Sequence, residues 1–172
     1  MYASSDVQQG EVSNMQAKPV KDSTITIVSQ MTHQDANLAG NVHGGVILKN
    51  IDNTAGIVAS RHANTNAVTA SIDRVNFYSP VYVGDLLRLL ASVNHTGRTS
   101  MEVGVRVEAE NFMTGEVRHT ASAYLSFVAL DAEGKPTQVP QIILETEDEK
   151  RRNREARNRR KYRLRKAKEE DK

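Results

Sequence analysis

Residues 44–63, GGVILKNIDNTAGIVASRHA, decide how the rest of the chain is read. Val46, Ile47, Ile51, Ala55, Val58 and Ala59 recur near the 3.6-residue period of an α-helix. Leu48 and Ile57 widen that apolar stripe, so the spacing predicts a long helix buried on most sides. A helix of this kind needs something to wrap it.

The flanking sequence supplies a sheet. Thr24 to Met31 alternates β-branched and polar residues and reads as a strand ahead of the helix. After the helix, Ala67 to Tyr78 alternates, with a change of phase near Asp73 and Arg74 that predicts a bulge. Leu86 to Thr96, Ser100 to Phe112 and Val117 to Leu130 follow, separated by the turn signals Gly97-Arg98 and Thr114-Gly115. In the middle strand Met101, Val103, Val105, Val107 and Ala109 alternate with charged or small residues. One strand, one buried helix and four strands joined by short turns imply an α+β layout, an antiparallel sheet wrapped around a single helix.

Composition limits the alternatives. The 172 residues are 38% hydrophobic and 26% charged, enough apolar material for a core. No Cys is present, which excludes disulfides, thiolate metal sites and a cysteine nucleophile. No apolar run approaches the roughly 20 residues of a membrane span, and no secretory leader is expected after Met1, so a cytoplasmic address is expected. The net charge of +2 conceals an asymmetry: residues 145–172 hold 13 Lys/Arg and 8 Asp/Glu, against 10 and 13 in the preceding 144 residues. The chain therefore divides into a disordered arm over 1–22, a domain over 23–144 and a basic, helix-prone tail over 145–172. The tail reads first as a solvated or assembly-stabilising helix. Nucleic-acid binding is the disfavoured reading, since only Tyr162 is available for stacking on bases.

Chemistry concentrates where the loop enters the helix, in Asn41-Val42-His43-Gly44-Gly45. First-turn N–H groups have no intrahelical partner and point outward with the positive end of the helix dipole, where they can hold an oxyanion or a polarised carbonyl. Asn41 can donate an amide to the same oxygen or hold a water. Asp52 is an acid in an otherwise apolar helix. A carboxylate there is costly without a partner and suits a general base, although Lys49 or an arginine of a partner subunit would serve as a purely structural mate. His43 reads on its own as a residue positioning the loop. The histidines at 33, 43, 62, 95 and 119 form no i,i+4 pair, so no metal site is expected, and no G-x-S-x-G elbow occurs.

The stretches GNVHGGVILKNIDNTAGIVASRH, AVTASIDRVNFYSPVYVGDLL, NHTGRTSMEVGVRVEAEN and TASAYLSFVALD follow one another within about residues 24–142. Together they resemble the hotdog-fold acyl-coenzyme A thioesterases, in particular the cytosolic (brain) acyl-CoA hydrolase and YciA-like group. The resemblance implies a sheet wrapped on one helix, two protomers joined through their sheets, and larger assemblies, typically trimers of dimers. It implies Asp52 as general base or nucleophile, with Asn41 positioning water and substrate. His43, Gly44 and Gly45 would hold the thioester carbonyl. Gly97, Arg98, Thr99 and Ser100 would contact coenzyme A. The expected activity is hydrolysis of fatty acyl-CoA to free acid and coenzyme A, with no cofactor beyond the coenzyme A of the substrate. A non-catalytic acyl-CoA-binding hotdog, regulating through its basic tail, is the alternative. The basic tail has no counterpart in the motifs of the resemblance.

Overall fold

A computed structural model describes residues 15–170. The elements are β1 (Lys18–Pro19), β2 (Ile25–Gln30), α1 (Gly44–Ala63), β3 (Asn66–Phe77), β4 (Leu86–Thr96), β5 (Ser100–Asn111), β6 (Glu116–Leu130), β7 (Ile142–Ile143) and α2 (Glu147–Glu170). Five strands form one antiparallel sheet in the order β2-β4-β5-β6-β3. α1 lies across one face of it, against β3, β4, β5 and β6. The period-2 residues of β5 (Met101, Val103, Val105, Val107, Ala109) turn to that face and are almost wholly buried, as are Leu87, Leu89, Leu125 and Phe127 on the adjacent strands. Ile51, Ala55, Val58 and Ala59 meet them from the helix. α1 lies close on the sheet: a Cβ added to Gly56 would be in ordinary contact, 3.8 Å, with the ring of Phe127.

Strand β3 departs from regularity where the sequence changes phase. Its register against β6 shifts between Ile72 and Val75, and again between Thr69 and Ser71. It is an edge strand with an open side. Val68, Ile72 and Phe77 on it, and Ile57 on α1, are 41–49% exposed. The expectation that α1 is covered on most sides is therefore corrected along this flank, where the Ile57 face stays open because β3 ends the sheet.

Two expectations for the termini are also revised. Within the arm expected to be disordered over 1–22, Lys18 and Pro19 pair in parallel with Ile142 and Ile143, and Val20 is 2% exposed. The Lys18 ammonium donates to the carbonyl of His62 (2.9 Å) and to Asn64 Oδ1 (2.8 Å) at the C-terminus of α1, where the helix dipole favours a cation. Residues 1–14 of that arm lie outside the described residues. The basic tail is a 24-residue helix, α2, laid on the face of the sheet opposite α1. It starts on a capping box: Glu149 Oε2 accepts from the N–H groups of Glu145 and Thr146, and Thr146 Oγ1 accepts from the Glu149 N–H. Ala156 is fully buried, and Asn153 donates to the Asn94 carbonyl. Arg159 stacks 3.6 Å over the Tyr124 ring and bonds Glu102, which is 2% exposed. Arg163 pairs with both Glu102 and Asp73. Among the described residues no helix is long and apolar enough to cross a membrane.

Candidate active site

The loop before α1 is a tight hairpin built by asparagine. The Asn37 N–H donates to the Asn41 carbonyl (2.7 Å), while Asn37 Oδ1 accepts from the N–H groups of Ala39 (2.8 Å) and Asn41 (3.3 Å). Gly40 takes φ +82° at the reversal, a conformation in which a side chain would be strained. Upstream, Asp35 Oδ2 accepts from the N–H and hydroxyl of Thr32, which holds the Asp35 carboxyl below its usual range. The Asp35 carbonyl takes the His43 N–H (2.7 Å) and fixes the loop to the start of the helix.

His43 is the N-cap of α1, and its Nδ1 accepts the Gly45 N–H at 2.9 Å. The pair of glycine amides expected to act together is thereby divided. Gly45 serves the cap, and a Cβ there would stand 3.0 Å from His43 Nδ1. Among the described residues only the Gly44 N–H, of these two, is left without an acceptor. It opens on a cleft of about 400 Å³ lined by Asn37, Asn41, Ile47, Phe77 and Tyr78. The Asn41 side-chain amide has no partner among the described residues and faces the same cleft.

Asp52 is placed elsewhere. It lies eight residues beyond Gly44 on α1, about 12 Å along the helix axis. It is half-buried on the flank facing β3, and its Oδ1 accepts the Thr69 hydroxyl at 2.7 Å. Asp52 makes no pair with Lys49 among the described residues, and its second oxygen has no protein donor there. Thr69 stands toward one end of the open β3 edge and Phe77, against Gly44, at the other. The chain thus carries two separated candidate groups, a carboxylate at Thr69 and an amide-lined cleft at Phe77. Thr69 and Asn37 were not among the expected site residues. The signal for Thr69 is a hydroxyl on an edge strand beside the sole carboxylate of α1.

The turn at residues 97–100 is rigid. The Gly97 N–H donates to the Ser100 carbonyl (2.7 Å), and the carbonyls of Arg98 and Thr99 accept from Val139 and Ala129. The Gln141 amide donates to the Gly97 carbonyl (3.0 Å). Arg98 is exposed at its tip. Its neighbours Thr99 and Ser100 are half-buried. The turn lies at the Thr69 end of the sheet, since Ser100 and Met101 pair with Val128 and Phe127, which pair with Val68 and Thr69.

Comparison with known proteins follows the same outline. The family model of the thioesterase superfamily matches residues 39–116. The cytosolic acyl coenzyme A thioester hydrolase of Mus musculus is 39% identical over 150 residues, 86% of this chain and 39% of that protein. The chain thus spans about two-fifths of the length of that relative. A hexameric acyl-CoA thioesterase solved without ligand is 44% identical, with TM-score 0.86 over 89% of this chain and 98% of that one. The acyl-CoA hydrolase of Staphylococcus aureus, solved with butyryl coenzyme A, coenzyme A and coenzyme A disulfide, is 36% identical, with TM-score 0.84 over 90% and 94% of the two chains. That enzyme has also been solved with an aspartate, an asparagine and a threonine each replaced by alanine. With this sheet, this single wrapped helix and these matches along most of its length, the chain belongs to the thioesterase superfamily, in the hotdog fold.

Proposed function

We propose that this protein hydrolyses acyl-CoA to a free carboxylic acid and coenzyme A, with fatty acyl chains as the substrate class and Asp52 as its catalytic carboxylate. The observation that carries the reading is the separation of the two candidate groups along an unpaired strand. If β3 pairs antiparallel with the β3 of a second copy about its middle, near Asp73, the Thr69 end of each protomer meets the Phe77 end of the other. Asp52 of one chain then faces the Gly44 N–H and the asparagines of its partner. The same pairing covers Val68, Ile72 and Ile57, removing an exposed apolar edge. The hexameric state of the relatives supports a homo-oligomer of this kind, extended to a trimer of dimers.

The chemistry needs few groups because a thioester is already activated. The carbonyl oxygen takes the Gly44 N–H at the positive end of α1, where developing negative charge is stabilised. The Thr69 hydroxyl orients Asp52 through one oxygen and leaves the other free to take a proton from water or to attack the carbonyl. The products are the acid and the coenzyme A thiol, and the reaction as written calls on no metal or organic cofactor.

The altered residues of the Staphylococcus aureus enzyme refine the site. The asparagine lies 15 residues before the aspartate, and the threonine 17 after it. In this chain Asn37, Asp52 and Thr69 stand at the same intervals (52 − 37 = 15; 69 − 52 = 17). This favours Asn37 over Asn41 as the asparagine that touches substrate or water, with Asn41 completing the wall of the cleft. Arg98 and the turn around it would meet the coenzyme A moiety, and the cytosolic relative favours a cytoplasmic enzyme.

The test is thiol release from acetyl-, medium- and long-chain acyl-CoA, with Asp52→Ala as the comparison. Turnover in the wild type, lost in Asp52→Ala with assembly intact, is the expected result. Equal rates for the two proteins would refute the assignment.

A further inference from the structure

Beneath the C-terminal half of α2, on the face of the sheet away from Asp52, runs a groove of about 220 Å³. Ser71 of β3, Ser100 of β5 and Ser126 of β6 border it together with the ring of His95 and the guanidinium of Arg160. Among the described residues none of these three hydroxyls and neither His95 ring nitrogen has a hydrogen-bond partner, and Arg160 has no carboxylate partner. Of the other arginines of α2, Arg154 and Arg157 likewise have no ion pair among the described residues, and the rest are paired. Arg151 and Arg152 are paired with Asp148, and Arg151 also with Glu155, while Arg159 and Arg163 are spent on Glu102 and Asp73. Those two inward arginines neutralise the two nearby carboxylates, so Arg160 and its neighbour Arg157 leave the groove with a net positive charge. The positive field is felt by His95, whose pKa is lowered by burial and further by Arg160, Arg157 and Arg163, against the opposing pull of Glu102.

We infer that this groove binds a phosphate group, with Arg160 as its fixed charge and Ser71, Ser100, Ser126 and His95 as its hydrogen-bonding wall. A guanidinium fork beside several hydroxyls fits the several oxygens of a phosphate. The volume falls below the roughly 300 Å³ at which pockets begin to hold whole drug-sized ligands, so the groove takes a group and not an entire nucleotide. Its position suggests the bearer. Ser100 closes the turn at residues 97–100, and the Arg160 guanidinium lies against Gly97, 3.4 Å from where a Cβ would stand. α2 thus adds a charged wall to the turn proposed above to meet coenzyme A. This assignment of the bearer rests on the proposed function, whereas the phosphate site itself does not. The phosphate is either the one carried on the nucleotide end of the substrate or that of a free phosphorylated metabolite.

The experiment uses the full chain with Arg160→Glu and, as a control of equal charge change, Arg154→Glu, an exposed position of the same helix outside the groove. Calorimetric titration with adenosine 3′,5′-bisphosphate and with adenosine reads the site directly. Thiol release from acyl-CoA and from the matching acyl-pantetheine reads the bearer. Binding of the bisphosphate, absent for adenosine, lost in Arg160→Glu and kept in Arg154→Glu, is expected. With it, KM for acyl-CoA rises roughly tenfold in Arg160→Glu, with kcat and the acyl-pantetheine kinetics unchanged. Lost bisphosphate binding with unchanged KM supports the site and makes the ligand a free metabolite. Bisphosphate binding that is absent from the wild type, or equal in the two variants, overturns the inference. If the wild type releases no thiol from either substrate, the proposed function falls, and the titration alone decides the groove.

Discussion

Two long helices lie on opposite faces of one sheet and are held there by different physics. α1 is anchored by Ile51, Ala55, Val58 and Ala59, none of them exposed, against an apolar sheet face. α2 is anchored by one buried alanine and by arginines on Glu102 and Asp73. Apolar contact is non-directional and leaves α1 free to carry a carboxylate on its open flank. Ion pairs fix α2 at named positions, while Arg154, Arg157 and Arg160 form no ion pair among the described residues. The helix that makes the core also bears the carboxylate proposed for the reaction; the helix held by charge carries the surface field.

The largest effects test the α1 side. Asn37→Ala should lower thiol release by about 100-fold or more, the scale of losing a donor to a developing oxyanion, while Asn41→Ala should cost less than about tenfold. Steady-state rates on one acyl-CoA, with oligomeric state checked by light scattering, compare them; a larger loss in Asn41→Ala would return the role to the nearer asparagine. Thr69→Val should lower kcat by roughly tenfold with KM held, since it frees the carboxylate to rotate without touching the cleft.

Stability then separates the two anchors. Ile51→Ala should destabilise the fold by about 2–5 kcal/mol through lost burial and the cavity left behind, with little dependence on salt. Arg159→Ala should cost roughly 2 kcal/mol, below the about 3–5 kcal/mol of a fully buried pair broken on one side, because Arg159 is itself a quarter exposed and Arg163 stays on Glu102. Urea unfolding at low and high salt measures both. If the Ile51→Ala loss shrinks with salt as the Arg159→Ala loss should, the contrast between the faces fails.

The same contrast explains what could be read in advance. Five strands and α1 follow from periods of 2 and 3.6 because their buried faces are apolar. The docking of α2 does not, since its inward residues are arginines and it covers Glu102, an alternate position of β5 that reads as solvent-facing yet is 2% exposed. Nor does the β1–β7 pair, two residues on each strand, with Lys18 opposite Ile142. At the site, Asp52 stood out as an acid among apolar neighbours. The division of the glycine amides did not, because it depends on which nitrogen of His43 turns back to Gly45. Choosing Asn37 over Asn41 needs intervals that only relatives provide.

The smallest effect concerns the end of α1 that the N-terminal strand clips. His62 is fully buried, its Nε2 against the Pro140 carbonyl (3.0 Å) and its Nδ1 against Ser23 Oγ (3.3 Å). Burial lowers its pKa; the nearby Lys18 charge adds to this, and the Pro140 hydrogen bond and Asp22 oppose it. The folded chain therefore refuses a proton that the unfolded chain accepts near the ordinary histidine value of about 6.5. By linkage the contribution of His62 is complete above that value and is lost as pH falls below it toward the lowered folded value. His95 is shifted in the same direction by its own burial and so adds to the trend. Melting temperature should fall between pH 7.5 and pH 5.5, and His62→Gln, which keeps a side-chain donor, should flatten part of that fall while His95 keeps the remainder. A fall of equal size in His62→Gln would show that the clipped end of α1 is insensitive to the charge of its histidine, and would leave the surface field around α2 as the source of the pH dependence.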